Sequence, residues 1–345
     1  MSAGADTVRV APRVVVAWTA ELSDHVGAVA WSPSGAVVAA GSMGGEAVLV
    51  DAVDGRVRAE FASHALGVLD IAWSPDGARV ASAGHDGRVV VASAADGAPV
   101  AEVRSLGQAN CVAWSPDGRL LAAGIGRELL VLGDSGDVVM RAGEQPSTVT
   151  DVAWSADGRR VGVACYGGVR WYEPQRRSQK PARVLGWKGS LLCLHVAPDG
   201  RHVASGNQDS SVHVWRLWSG RDMEMTGYPA KIDRLAWHPA SRLLAVGGPG
   251  DVTVWDFGGS GPEGSVPRQI DAHEERISAL AYAPDGRVLA TAASDGWLKV
   301  WGDSDATPVN AWHAGSAVSC LSWAPDSGAI AVATHDGRLR RLDLR

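Results

Sequence analysis

The string GVLDIAW, Gly67 to Trp73, alternates apolar and polar positions with the period of a β-strand whose two faces differ. SPDG follows, and it carries turn chemistry: Pro75 presets φ, and Asp76-Gly77 tolerates the positive φ of a tight hairpin. ARVASAG reads as a second strand, and HDG at His85 to Gly87 as a second turn. RVVVAS is a third strand, AADG a third turn and APVAEVR a fourth strand. No segment carries sustained helical periodicity, so the pattern predicts an all-β chain of short antiparallel strands.

This plan recurs along the chain. AWSPDG occurs at 72–77 and again at 113–118, with variants around Trp31, Trp154, Val196, Trp237, Tyr282 and Trp323. Taking the second letter of each as a marker gives eight copies separated by 42, 41, 40, 42, 41, 45 and 41 residues. A lone four-stranded meander buries too little, so neighbouring copies must cover its faces. Radial stacking into a closed ring does this and leaves few edges exposed. One aromatic ring per copy buries about 150–250 Å² between adjacent sheets; only Val196 breaks that series. The last copy ends after RLRRLDL without a fourth strand, whereas a spare strand, Arg13 to Trp18, precedes the first marker. The expected architecture is therefore a β-propeller of eight four-stranded blades closed by the N-terminal strand. It would form a single domain over residues 10–345 behind a tail of residues 1–9.

These residues resemble the WD40 repeat family. ISALAYAPDGRVLATAASDGWLKVW, Ile277 to Trp301, lies very close to its consensus, and the naming dipeptide stands at Trp255-Asp256. The resemblance implies hydrogen-bonded tetrads of His, Ser or Thr, Asp and Trp. His273, Thr291, Asp295 and Trp301 fit a full set, and His64, Ser82 and Asp86 fit a set with Ala92 in the Trp position. Asp209, Ser205 and Trp215 fit another in which Trp187 holds the His position. It also implies a rigid platform that binds protein partners through one face of the ring.

Charge narrows the partners. A net charge of −6 argues against an electrostatic grip on nucleic acid or anionic lipid, despite the basic connection Glu173 to Arg183. No apolar run spans a membrane and no signal peptide is evident at Met1 to Ala20, so a cytoplasmic, monomeric propeller is expected. Lysine occurs only at Lys180, Lys188, Lys231 and Lys299 amid abundant Ala, Val and Gly, the bias of a high-GC bacterial genome.

No phosphate loop or HExxH pair is present, and neither a catalytic set nor a cofactor is expected. The register three residues before each marker reads Ala28, Asp70, Cys111, Asp151, Cys193, Arg234, Ala279 and Cys320 around the ring. With the residues beside the turns, it supplies the candidate partner contacts: Met43, Asp70, His85, Asp151, Trp187, Lys188, Gln208, Tyr228, Arg234 and His335. The alternative is an accessory enzyme or metal-handling protein using Cys111, Asp151, Cys193, His195 and Cys320 at the channel mouth. Thiols and an imidazole there suit a soft metal, although the thiols belong to repeats spread around a wide ring.

Overall fold

The computed structural model describes residues 14–259, 261–303, 305 and 307–344. The expected tail and Arg13 lie outside the described residues. Each marker ends a strand: Val26–Trp31, Val68–Trp73, Ala109–Trp114, Asp151–Trp154, Arg183–Val196, Arg234–Trp237, Ile277–Tyr282 and Val318–Trp323. These inner strands touch one another in that order, and the last contacts the first, which closes the ring.

The blade count differs from expectation. Among the described residues the strands form seven hydrogen-bonded sheets, not eight: six have four strands and one has six. The difference arises at Arg183–Val196, a single strand of 14 residues. Its first half pairs with Val161–Tyr172, and its second half pairs with His202–Asn207. The fourth and fifth markers, Trp154 and Val196, thus feed one continuous sheet. Leu185 to Ser190 contains no Pro, Asp or Asn to interrupt the strand. At the seam, Val14–Glu21 pairs antiparallel with Arg338–Leu344, with Val14 opposite Leu344 and Glu21 opposite Arg338.

The repeated hexapeptide has three jobs. The Ser hydroxyl donates to the Asp carboxylate two residues on, at 2.5 Å for Ser74–Asp76 and 2.6 Å for both Ser115–Asp117 and Ser155–Asp157. This bond, followed by backbone amides, holds those carboxyls below the usual range. The Gly adopts positive φ, 70° at Gly77 and Gly118, and packs beside the Pro of the preceding repeat, Pro33 and Pro75 respectively. Ser241 and Ser327 take positive φ without being Gly. Their hydroxyls accept the backbone N–H of Asp199 and Asp285 in the previous turn, at 2.9 and 3.1 Å.

The core lies between sheets. Ala39 and Leu49 of the first sheet pack with Val68, Ile71 and Val80 of the second, and equivalent clusters recur around the ring. Five indoles bridge these interfaces. The Nε1–H of Trp73, Trp114, Trp154, Trp237 and Trp323 donates to the carbonyl one residue before the preceding marker, at 2.9–3.2 Å. Trp31 instead donates to Gly35 in its own turn, and its backbone N–H reaches Ser322 across the seam.

Trp154 is buried, so Trp154→Ala is expected to cost about 3–5 kcal/mol. Trp154→Phe keeps most of the burial and loses the bridge, at a cost of about 1–2 kcal/mol. Urea midpoints of the two variants and the wild type measure both.

Candidate functional site

An inner strand presents one unpaired edge toward the axis, and its amides need acceptors. Asp70 accepts the N–H of Ile71 in its own strand and of Val112 in the next, both at 2.9 Å. Asp151 repeats this with Val152 at 2.8 Å and Leu194 at 2.7 Å. The residues just before this register staple carbonyls instead. Asn110 donates to Val149, Thr150 to Leu191, Ser278 to Val318 and Ser319 to Val26. Arg234 donates from Nε to the Ser278 carbonyl at 2.6 Å. Asp70, Asp151 and Arg234 thus spend their polar atoms holding adjacent strands together.

Burial dominates the electrostatics here. It raises the Asp70 carboxyl to about 6 and that of Asp151 to about 7, against the amides that favour the ionised form. Burial, helped by Arg234, lowers His195 to about 4. Burial drives Cys193 and Cys320 up to about 12 and Cys111 well above its ordinary value, with Asp151 adding to the rise at Cys111 and Cys193. Such thiols resist the deprotonation that metal ligation requires. Among the described residues, no three His, Cys, Asp or Glu side chains are placed to hold a metal ion.

His64 Nδ1 lies 3.0 Å from Asp86 and its Nε2 lies 2.8 Å from Ser82. His273 lies 3.1 Å from Asp295 and 2.8 Å from Thr291, whose hydroxyl also accepts the Trp301 indole N–H at 2.9 Å. Burial lowers the His273 pKa. At Asp86, burial opposes ionisation, but hydrogen bonds from His64 and the amides of Ala65 and Arg88 outweigh it and lower the pKa.

The structure does not bring the third set together in this way. Ser205 donates to Asn207, and Asp209 accepts from Ser211. Trp187 stacks on His213 with ring centroids 4.0 Å apart, packed among buried residues. Tyr228 is also occupied: its hydroxyl accepts the Trp255 indole at 2.9 Å and lies 3.1 Å from Thr253.

The remaining candidates lie at the surface. Lys188, Gln208 and His335 are exposed, while Met43 and His85 are half-buried. His335 stacks on His25 across the seam at 3.9 Å. Burial and the neighbouring His335 lower the His25 pKa. In the basic connection, Glu173 pairs with Arg160 at 2.9 Å and with Arg176.

Sequence reasoning missed three exposed apolar side chains. Leu66 is 57% exposed, Leu106 92% and Tyr166 52%. Leu66 and Leu106 occupy connections on the face that carries Met43 and His85, and Tyr166 lies within the strand Val161–Tyr172, beside the connection that holds Ser147. Gly45 packs against the Leu66 backbone, Gly126 packs against that of Leu106, and the Tyr166 N–H donates to Ser147. The available signal was the repeated Leu-Gly pair, Leu66-Gly67 and Leu106-Gly107, each just before an inner strand.

The raised Asp151 pKa has a definite sign. Between the ordinary value of 3.8 and about 7, the folded state binds the proton more tightly than the unfolded chain does, so this group's contribution to stability falls as pH rises. Asp151→Asn lacks that dependence. Its stability relative to wild type is expected to improve by about 3 kcal/mol between pH 4.5 and 8, from whatever baseline the altered hydrogen bonding sets. Thermal unfolding of both proteins at the two pH values checks this.

Comparison with known proteins agrees with this geometry. The family model for the WD domain, G-beta repeat, matches residues 17–51, 55–92, 102–128 and 179–216. The model of the anaphase-promoting complex subunit 4 WD40 domain matches 252–326. Periodic tryptophan protein 2 of Arabidopsis thaliana is 29% identical over 199 residues, covering 56% of this chain and 22% of that protein. WD repeat-containing protein slp1 of Schizosaccharomyces pombe is 26% identical, covering 55% and 49%. The guanine nucleotide-binding protein subunit beta of Arabidopsis thaliana is 24% identical, covering 58% and 52%. The chain spans about half or less of the length of these relatives, all of them eukaryotic. Among solved structures, the computationally designed Ika8 protein superposes with a TM-score of 0.79 at 19% identity, covering 94% of this chain and 97% of that one. Repeat sequence, interlocking sheets and family matches converge: the family-model matches support the WD40 repeat family, and the chain folds as an all-β WD40 propeller.

Proposed function

We propose that this propeller is a non-catalytic scaffold that binds a protein partner through the face carrying the connections into its inner strands. The observation that carries this reading is the set of apolar side chains exposed there, Leu66, Leu106 and Tyr166, alongside Met43. Exposed apolar groups gathered on one face of a folded domain mark an interaction surface, and large side chains at the centre of such a surface carry most of the affinity. His85, Lys188, Gln208 and His335 supply the polar rim. Asp70, Asp151, Trp187, Tyr228 and Arg234 contribute by holding the scaffold rigid, since their polar or aromatic groups are engaged internally. The similarity to slp1 and to a G-protein beta subunit supports a binding role. Among the described residues, no helix is long and apolar enough to cross a membrane. A cytoplasmic, monomeric protein of a high-GC bacterium completes this reading.

The test is capture from native lysate with wild type and with the Leu106→Glu and Tyr166→Glu variants, each checked for folding by circular dichroism. A stoichiometric partner is expected with wild type, and recovery is expected to fall at least tenfold in each folded variant. Undiminished capture by both variants rejects this face.

A further inference from the structure

Two departures from the repeat meet at one place. Tyr282 stands where five other repeats put a bridging indole, and the step of 45 residues before it inserts a Gly-Pro-rich loop from Phe257 to Pro267. At that interface the structure holds a cavity of about 440 Å³. Its walls mix apolar and polar groups: on the apolar part, Leu243 and Val254 from one sheet face Leu289, Trp301 and Tyr282 from the next. Gly261, Ser265 and Val266 of the inserted loop cover it, and Val266 is 92% exposed at the mouth. Two carboxylates also line the cavity. Asp256 is paired with Arg242 at 2.9 Å, and Asp303 is exposed. Arg268, the cationic residue of the lining, turns its guanidinium onto backbone carbonyls of Gly302, Asp303 and Asp305.

The volume falls in the range of small-molecule sites, roughly 300–1,000 Å³, and apolar walls with a few polar groups are their usual make-up. A Tyr ring is smaller than the indole that fills the equivalent interfaces, so the repeat geometry shapes this space for a flat bicyclic ring. The exposed Asp303 carboxylate favours an N–H donor or a cationic substituent on that ring.

We propose that the cavity between Val254 and Tyr282 binds an indole-class heteroaromatic ring, with a cationic side group directed toward Asp303. The ring enters beneath the inserted loop, stacks between the two sheets and replaces the wedge that the missing tryptophan would supply. A free small molecule and a tryptophan side chain on a peptide share this chemistry.

The experiment is 19F NMR line broadening of 5-fluoroindole, 5-fluorotryptamine and N-acetyl-5-fluorotryptophanamide with the full chain. Wild type is expected to broaden fluoroindole, and fluorotryptamine at least threefold more tightly. Tyr282→Trp puts an indole into the space from within, so its Kd for both probes should rise at least tenfold while Tm rises. If Tyr282→Trp fails to fold, Val254→Phe narrows the same space from the opposite wall. Asp303→Asn should remove the preference for fluorotryptamine and leave fluoroindole unchanged. Broadening of the tryptophanamide as well assigns a peptide source, whereas its absence assigns a free small molecule. No broadening by wild type, or equal broadening by wild type and the filled variants, overturns the site. Equal affinity for the two amine and non-amine probes overturns the role of Asp303.

Discussion

An indole N–H that reaches a carbonyl one repeat upstream does more than add a hydrogen bond. It fixes the distance and the angle between neighbouring sheets, because the ring must fill the interface while its nitrogen meets an acceptor on the far side. Five such bridges position five of the seven sheets against the one before, and the ring can meet itself at the seam. Where the bridge is missing, the structure finds another solution. At Val196 two repeats merge edgewise through Arg183–Val196. At Tyr282 the sheets stay separate, and the interface retains a cavity.

The axis poses a second constraint. Inner strands offer polar backbone toward the axis, where no further strand pairs, so side chains take that role. An acid accepts amides from two strands at once, whereas Asn, Thr, Ser and Arg donate to carbonyls. This explains how an irregular mix of Asp70, Asn110, Asp151 and Arg234 can serve one purpose. Each choice answers whichever donor or acceptor its neighbour leaves open. Selection for closure is a sufficient reason for the mix, without any ligand in the channel.

Much of the fold was legible because its determinants are local and repeated. SPDG specifies its own turn through Ser-to-Asp bonding and a positive-φ glycine, and the marker spacing announces stacked copies. The fused fourth and fifth repeats were not legible, because the motif count registers inner strands and is blind to whether the connection between them breaks the strand. The site was read less well than the fold. Asp151 and Leu194 are 43 residues apart and meet only through the ring, so the engagement of that carboxylate is invisible in sequence. Trp187 has the composition of an interface anchor, yet the His213 ring beneath it makes it a packing residue. Leu66 and Leu106 escaped notice because a single Leu in a turn is ordinary; only their shared position on one face gives them meaning.

The seam has a consequence for the way the chain reaches this state. Val14 and Leu344 are paired on adjacent strands, so the closing pair forms only after the ribosome has delivered residues 14–344. Until then every completed sheet belongs to an open arc with two unsatisfied ends. Local hairpins form early and at low entropic cost, whereas the final step joins segments of very large sequence separation. The growing arc therefore needs protection from pairing with other nascent chains during synthesis, and Val14–Glu21 must stay available until its partner arrives.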